Sequence, residues 1–422
     1  MEAEAAPRNK RARQEEGPRE AYAEPAATPN QESPIFAVSA QAYHRWKFPH
    51  YSQPREVGCM SRDADHQWHN DSDQELRYFK EPAPGCDLSA GFDTFVKKDE
   101  EKEKQEHITP ILSWLHHQRA GGSRASSYKR REMDVIAHPQ FVAWRGSFAR
   151  LLCAPYNRSE SWRLLVCRFK GTIYIADKDT PETQARRRNQ TQREELMGYW
   201  GYKFEDYSTR PRTGLQEPNE GPVSNIPCYC TVVRARLGSH LLLMSGETDC
   251  CMEGQAKPPD NYVELKTNKV LMTERDRTSF ERYKLLKFWS QSFLAGVPRV
   301  VVGFRDDEGI VRTVQHFKTL ELPRFVEGKR NMWDSAVCMN FCDQFLTWVA
   351  WLFEQEDQEK TASGGDDDAK VVWALDYGAP FSHVQATRFK DGSLAFLPAW
   401  FTSATPTNPP SPHHPPPDTP HA

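Results

Sequence analysis

Two short segments carry most of the structural information in this sequence: Leu241-Leu242-Leu243-Met244-Ser245-Gly246-Glu247-Thr248-Asp249 and Tyr262-Val263-Glu264-Leu265-Lys266. The first is an apolar run that ends in two carboxylates. The second alternates apolar and polar side chains, which is typical of a strand with one buried face. Because side chains alternate between the two faces of a strand, Glu247 and Asp249 share one face, and so do Glu264 and Lys266. If the two strands pair, three carboxylates and one ammonium group converge.

This acidic cluster has a chemical rationale. Converging carboxylates repel one another and resist ionisation unless a cation lies between them, and their hard oxygens suit Mg²⁺ or Mn²⁺. Two such ions about 4 Å apart can activate a water and stabilise charge on a phosphate. Lys266 beside them can orient that water or stabilise the developing charge. The pattern resembles the core of the PD-(D/E)XK nuclease superfamily; the alternative is an exposed strand face that carries a surface salt bridge.

A helix predicted over Arg193–Tyr207 adds Glu205 to the acidic set. Gly198, Gly201 and Glu205 fall on one face of that helix. Since each glycine inside a helix costs about 1 kcal/mol, we expect this face to approach another backbone closely, with Glu205 pointing into the gap. Ordinary crowding between helices is the alternative.

Candidate phosphate-binding groups come from two other segments. Lys284, Lys287 and Gln291 line one face of a helix predicted over Thr278–Leu294, where they either contact phosphates or form a solvated surface. Arg145, in Trp144-Arg145-Gly146, could hold a phosphate through both arms of its guanidinium. An arginine alone is not diagnostic.

The remaining pattern, strand pairs separated by helices, predicts an α+β fold with mostly antiparallel sheet and helices packed outside it. Predicted hairpins are Trp162–Ala176, Tyr229–Leu237 with His240–Asp249, and Pro298–Phe304 with Gly309–Phe317. A long apolar helix is predicted over Ala336–Glu354, and late strands over Val371–Asp376 and Leu394–Trp400.

Composition sets limits on the kind of protein. Of the 422 residues, 38% are hydrophobic and 27% charged, enough for a packed core and a wet surface. The formal net charge of −3 means that any nucleic-acid site must be a local basic groove. The N-terminus has no apolar segment, and the longest apolar stretch, Phe345–Phe353, is too short to span a bilayer. We therefore predict a soluble intracellular protein without a membrane segment, whose ten cysteines are reduced thiols.

Both ends differ in composition from the centre. Residues 1–34 have no periodic apolar pattern, and residues 402–422 are rich in proline, so both are predicted to be disordered. The basic cluster Asn9-Lys10-Arg11-Ala12-Arg13 is a candidate nuclear localisation signal, with solvated charge as the alternative.

Several spaced segments, taken together, resemble the DXO family, the decapping exoribonucleases. The resemblance covers about Glu56 to Trp400. The segments that carry it are Trp144-Arg145-Gly146, Gly201-Tyr202-Lys203-Phe204-Glu205, Arg236-Leu237-Gly238-Ser239-His240, Gly246-Glu247-Thr248-Asp249, Val263-Glu264-Leu265-Lys266-Thr267, Lys284-Leu285-Leu286-Lys287 with Gln291-Ser292-Phe293, and Val337-Cys338-Met339-Asn340-Phe341.

The resemblance implies a single catalytic domain over residues 35–401, built on two mostly antiparallel or mixed β-sheets with flanking helices and a PD-(D/E)XK nuclease-like core. It also implies hydrolysis of incomplete or abnormal RNA 5′ caps, including unmethylated guanosine caps, NAD caps and 5′-triphosphates, followed by 5′-to-3′ exonuclease action. It implies two Mg²⁺ ions, which Mn²⁺ could replace. The implied metal ligands are Glu205, Glu247, Asp249, Glu264 and the main-chain oxygen of Leu265. The implied substrate contacts are Glu106, Trp144, Arg145, Gly146, Cys230, Glu247, Lys266 and Gln291. The implied catalytic set is Glu205, Glu247, Asp249, Glu264 and Lys266.

One position departs from the family pattern. Where family members can have an arginine before a Gln-aromatic-His segment, this chain has His66 in His66-Gln67-Trp68-His69. A neutral imidazole cannot make the same permanent phosphate contact, which puts cap preference or affinity there in doubt.

The resemblance also bears on partners and location. It implies RNA 5′ ends as substrate, a monomer, residence in the nucleus with the cytoplasm as a second location, and an exoribonuclease partner such as some family members have. Two alternatives keep the same residues: a DNA-directed nuclease of the superfamily, and a non-catalytic cap-binding partner of another exoribonuclease.

Overall fold

The computed structural model describes residues 33–99, 101, 105–121, 138–212, 221–254, 256–363 and 370–403. The predicted disordered segments 1–34 and 402–422 lie outside the described residues except at their inner ends, and so does the basic cluster 9–13.

Strands and helices follow one another along the described chain. The strands are β1 Ile35–Ala37, β2 Arg55–Arg62, β3 Trp68–Asn70, β4 Tyr78–Phe79, β5 Phe141–Trp144, β6 Trp162–Phe169, β7 Thr172–Lys178, β8 Thr209–Arg210, β9 Cys228–Leu237, β10 His240–Glu247, β11 Cys250–Cys251, β12 Tyr262–Lys269, β13 Arg299–Arg305, β14 Val311–Lys318, β15 Val372–Tyr377 and β16 His383–Phe389. The α-helices are α1 Thr109–Arg119, α2 Arg145–Cys153, α3 Pro181–Arg188, α4 Gln192–Tyr207, α5 Glu274–Ser279, α6 Leu285–Ala295, α7 Ser335–Ser363 and α8 Ala399–Thr402.

The strands form two sheets, as predicted. The first has ten strands in the order β1-β16-β15-β6-β7-β5-β10-β9-β2-β3, and the second has six in the order β14-β13-β12-β11-β4-β8. Most neighbours are antiparallel, but β5 runs parallel to both β7 and β10, β12 runs parallel to β13, and β4 runs parallel to β11. The predicted α+β class with mixed sheets and the three predicted hairpins are confirmed.

The acidic segments meet in a way that the sequence did not predict. β10 belongs to the ten-stranded sheet and β12 to the six-stranded sheet, so the two strands do not pair. Instead the chain crosses between the sheets just after Glu247, and Cys250 in β11 pairs with Val263 in β12. The carboxylates therefore converge at the crossing point rather than on one continuous sheet face.

Helices pack between the sheets. The largest core cluster joins Phe148 of α2, Trp289 of α6 and Phe345 of α7 to Met244 of the first sheet and Val302 of the second. α1 covers the other face of the ten-stranded sheet, and α4 that of the six-stranded sheet. These layers hold α2, α4 and α6 firmly against the strand ends that carry the acidic residues.

Helix α7 is longer than the apolar stretch Phe345–Phe353 suggested. Its portion Ser335–Gln358 is long and apolar enough to cross a membrane by length and composition, but 61% of its most apolar window is buried inside the protein. That burial is typical of the core helix of a water-soluble fold. All ten cysteines are free thiols, as predicted.

One predicted strand is wrong. Leu394–Trp400 forms turns and the start of α8, and the partner of β15 is β16. Pro398 precedes the first turn of α8, and Leu394, Phe396 and Leu397 pack as a loop on the core at the first sheet. The apolar side chains of this segment are therefore buried, but its backbone does not form a strand.

Candidate active site

The candidate site begins where two parallel strands end side by side. Ser245 of β10 is in register with Trp144 of β5, so Glu247 and Arg145 follow at the same edge of the sheet. Gly246 makes this approach possible, since a Cβ atom there would lie 2.9 Å from the Cβ and the Nε of Arg145. Arg145 begins α2 and is almost fully buried.

Two cations hold the carboxylate of Glu264. Lys266 Nζ lies 2.6 Å from its Oε1, and Arg145 Nη1 lies 3.3 Å from its Oε2. Burial raises the pKa of Glu264, but the charges and hydrogen bonds of Lys266 and Arg145 outweigh burial and leave that pKa below its ordinary value. Burial lowers the pKa of Lys266, but the charges of Glu264, Asp249 and Glu205 outweigh burial and raise that pKa, so Lys266 stays an ammonium ion.

The pKa values of Asp249 and Glu205 are raised, in contrast to that of Glu264. Burial and the charge of Glu264 raise the pKa of Asp249 to about 7, although its Oδ2 accepts a hydrogen bond of 2.6 Å from the main-chain N–H of Leu265. Burial and then the charge of Asp249 raise the pKa of Glu205 well above its ordinary value. These carboxyl groups are close enough to suppress each other's ionisation.

The donor chemistry of this cluster fits divalent metal ions. The oxygens of Glu205, Glu247, Asp249 and Glu264 come from α4, β10, the crossing segment and β12, and a cation among them would relieve the repulsion that raises the two pKa values. Within the described ranges, no group of three His, Cys, Asp or Glu side chains already stands in an ion-binding arrangement.

The glycines of α4 do not have the role predicted for them. Among the described residues, a Cβ atom at Gly198 or Gly201 would meet nothing within 4 Å, so no described backbone outside α4 approaches that face. Glu205 reaches the acidic cluster because Trp200 and Phe204 pack α4 on the six-stranded sheet. A capping box between Thr191 and Glu194 fixes where the helix begins.

A cavity of about 280 Å³, here called the Trp144 cavity, adjoins the acidic cluster. Six of the eight predicted substrate contacts line it: Glu106, Trp144, Arg145, Gly146, Cys230 and Glu247. Trp144 donates a hydrogen bond of 2.8 Å from Nε1 to the carbonyl of His107, which ties the segment of Glu106 to the cavity wall. The register pairs Cys230 with Glu247 across β9 and β10.

A second cavity of about 660 Å³, here called the Glu205 cavity, also reaches Glu247. Glu205, Glu247 and Asp249 line it together with Tyr202 and Arg77. Glu247 and Lys98 line both cavities. The acidic cluster thus borders two cavities, and the Glu205 cavity has the size of a small-molecule binding site.

Two predicted substrate contacts lie elsewhere. Lys266 and Gln291 are not among the residues that line either cavity. Lys266 faces Glu264, and Gln291 lies partly exposed on α6. On the same helix face, Lys287 pairs with Glu160 at 3.0 Å. The individual ligand and contact roles of all these residues stay predictions.

Comparison with known proteins decides the family. Residues 52–402 match the family described as "RAI1 like PD-(D/E)XK nuclease". The decapping and exoribonuclease protein of Bos taurus is 37% identical over 379 residues, which cover 88% of this chain and 90% of that protein. The chain belongs to the RAI1-like PD-(D/E)XK nuclease family.

Solved structures of RAI1-like nucleases agree with this. The structure of S. pombe Rai1 in complex with 3′-FADP is 26% identical, with a TM-score of 0.64, and the match covers 84% of this chain and 99% of that one. Candida albicans Rai1, solved in complex with pU5 and Mn²⁺, shares the fold with a TM-score of 0.67 at 23% identity, over 87% of this chain and 95% of that one. Family membership confirms the predicted resemblance, the fold class and a hydrolase of the nuclease type. It does not favour the non-catalytic alternative.

Sequence reasoning missed several residues that line the cavities of this RAI1-like nuclease. Arg62 and Trp68 line the Trp144 cavity, and Lys98 lines both cavities. The pKa of the Cys230 thiol is raised first by its hydrogen bond with Cys228 and then by burial; Glu247 adds to the rise and Arg62 opposes it. No local signal marks Arg62 and Trp68, because the order β9-β2-β3 of the sheet brings them to the site.

Proposed function

We propose that this protein hydrolyses incomplete or abnormal caps at RNA 5′ ends, including unmethylated guanosine caps, NAD caps and 5′-triphosphates, and then degrades the RNA from its 5′ end. The observation that carries this proposal is the shared position of Glu247. It lies both in the acidic cluster and on the wall of the Trp144 cavity, beside Arg145. A phosphate held in that cavity therefore lies next to the carboxylates.

The cofactor belongs to the proposal. Glu205, Glu247, Asp249 and Glu264, with the main-chain oxygen of Leu265, would hold two Mg²⁺ ions, or Mn²⁺ in their place. When bound, such ions lower the pKa of a water molecule and stabilise charge on the phosphate. Candida albicans Rai1 was solved in complex with pU5 and Mn²⁺, which supports this choice of cofactor.

The side chains of the chain itself supply binding and orientation. Arg145 presents a fixed, permanently charged guanidinium at the base of the cavity. Trp144 offers a ring on which a base can stack. Lys266, held by Glu264 at 2.6 Å, keeps an ammonium ion at the cluster to stabilise negative charge that develops on the phosphate.

The proposal is tested with purified protein, Mg²⁺ and RNAs labelled next to the 5′ end that carry a triphosphate, an unmethylated guanosine cap or an NAD cap. We expect release of the terminal group followed by progressive shortening from the 5′ end. EDTA and Asp249→Ala should both abolish turnover, with the circular dichroism spectrum of the variant unchanged. Equal turnover by the variant would overturn the assignment, and preferential cleavage of single-stranded DNA would favour the DNA-directed alternative.

Partners and location complete the proposal. We infer that the protein acts as a monomer in the nucleus and also in the cytoplasm, supported by the basic cluster at residues 9–13. An exoribonuclease partner remains part of the proposal on the ground of the family alone. Size-exclusion chromatography with light scattering, and imaging with Lys10 and Arg11 replaced by alanine, test these points.

A further inference from the structure

The departure of His66 from the family pattern has a structural consequence. His66 lies exposed in the turn between β2 and β3, with a positive φ of 63°, and is not among the residues that line the cavities of the site. Its main-chain N–H donates to the carbonyl of Asp63 at 3.1 Å, which holds the turn in this conformation. Position 66 therefore supplies no cation to the Trp144 cavity.

A different cation of the same hairpin does reach that cavity. Arg62 is the last residue of β2 and lines the Trp144 cavity together with Arg145, Cys230 and Glu247. Only 3% of it is exposed. The registers place it opposite Cys228 in β9 and opposite Trp68 in β3, so the sheet itself fixes its position.

Several contacts hold the guanidinium of Arg62. Its Nε donates a hydrogen bond of 2.7 Å to the main-chain carbonyl of Ile226, and its Nη2 donates one of 3.4 Å to the main-chain carbonyl of Asn225. Its Cζ lies 5.3 Å from the centre of the Trp68 ring, which is within the range of a cation–π interaction. The Trp68 ring in turn lies 6.4 Å from the ring of Trp144. Arg62 is therefore preorganised on the wall shared with the predicted substrate contacts.

The cavity is lined by charged side chains of both signs. Its lysine and arginine side chains are Arg62, Lys98 and Arg145, and its carboxylates are Glu106 and Glu247. Arg145 is paired with Glu264. A buried guanidinium stays charged at all physiological pH values and has a planar fork that suits a phosphate.

We propose that Arg62, oriented by Ile226 and Trp68, binds the 5′-terminal phosphate group of the RNA in the Trp144 cavity, in the place of a cation at position 66. This inference rests on the proposed function, since it assigns the substrate phosphate of that site. It makes Arg62 a substrate-binding residue and Trp68 a positioning residue.

Binding is measured without turnover. The probe is a fluorescent five-nucleotide RNA with a 5′-monophosphate, compared with the same RNA bearing a 5′-hydroxyl, in Ca²⁺, with the integrity of the RNA checked afterwards. Arg62→Met should raise the Kd of the 5′-phosphorylated RNA about ten-fold or more, because a hydrogen bond to a charged group is lost. It should change the Kd of the 5′-hydroxyl RNA much less. The slope of log Kd against log salt should fall by about 0.7 for the phosphorylated RNA.

His66→Ala is the matched control, since it lies in the same hairpin and should change neither Kd. Trp68→Phe should bind nearly as well as the wild type, whereas Trp68→Leu should lose part of the preference for the 5′-phosphate. A loss in His66→Ala as large as in Arg62→Met overturns the proposal, and so does an equal loss for both RNAs with an unchanged salt slope.

Arg62 is buried, so its methionine variant requires a check of folding by thermal denaturation. If that variant does not fold, the same binding measurement is made with Arg62→Lys, because lysine keeps the charge but not the planar fork. We then expect an unchanged salt slope and a preference for the 5′-phosphate reduced several-fold; an unchanged preference overturns the proposal. If the wild type binds the phosphorylated RNA but hydrolyses nothing with Mg²⁺, the proposed function fails while the assignment of Arg62 stands.

Discussion

The acidic cluster should destabilise the metal-free protein at neutral pH, and Asp249→Asn should relieve that destabilisation. Burial and the charge of Glu264 raise the pKa of Asp249 from 3.8 to about 7. A pKa raised in the folded state means that the folded protein binds more protons than the unfolded chain between these two values. The stability contributed by the neutral carboxyl is thus fully present below pH 4 and is lost as the pH rises through about 7.

The size of the effect follows from the same shift. Each pKa unit corresponds to about 1.36 kcal/mol, so ionised Asp249 costs the metal-free fold at most about 4 kcal/mol above pH 8. Asparagine cannot ionise, and its side-chain oxygen can still accept the hydrogen bond from Leu265 N–H. We expect Asp249→Asn to be more stable than the wild type by about 1–4 kcal/mol at pH 8 and equal to it near pH 4.

The assay is urea denaturation in EDTA, followed by circular dichroism at pH values from 4 to 8. Asp376→Asn is the control, since Asp376 pairs with Arg163 at 2.6 Å away from the cluster and its loss should leave stability unchanged or lower. Equal stability of Asp249→Asn and the wild type at pH 8 would refute the reasoning. A gain of the same size at pH 4 would refute it too, because the cause would then not be ionisation.

Further predictions concern the lysine, a glycine and the metal. Lys266→Met should lower kcat about 100-fold, because a charge that stabilises the transition state is lost. It should leave the Kd for RNA within about three-fold, because Lys266 does not line the cavities. Single-turnover kinetics that match the wild type would contradict this prediction. Gly246→Ala should lose about 1–3 kcal/mol of stability, because its Cβ would crowd Arg145. Gly201→Ala, with open space around it, should gain up to about 1 kcal/mol, and thermal denaturation that ranks the two variants in the opposite order would exclude the explanation. The affinity for Mn²⁺, measured by calorimetry, should rise from pH 5 to pH 8, because Asp249 must lose its proton to become a ligand; an affinity independent of pH would count against the site.

The acidic residues were predictable because they lie close together within short segments of sequence. Glu264 and Lys266 sit two residues apart on β12, and they do share a face, as their 2.6 Å contact shows. Glu247 and Asp249 follow an apolar strand directly. Such spacing depends only on the geometry of a strand, which local sequence determines.

The features that sequence analysis missed depend on contacts between segments that are far apart along the chain. The crossing of the chain between two sheets after Glu247 has no local signature, so from the sequence the carboxylates converge only on the condition that β10 and β12 pair, which they do not. Arg62 reaches the Trp144 cavity only because β2 adds to β9 in the first sheet. The strand predicted over Leu394–Trp400 failed for a related reason, since buried apolar side chains do not by themselves specify an extended backbone.

Anomalous diffraction from crystals grown with Mn²⁺ and a 5′-phosphorylated oligoribonucleotide gives the most direct test of the proposed site. We expect anomalous peaks among the carboxylates of Glu205, Glu247, Asp249 and Glu264, with the terminal phosphate in the Trp144 cavity between them and Arg62. Manganese bound at another surface, or a 5′ end lodged away from these carboxylates, would contradict the account.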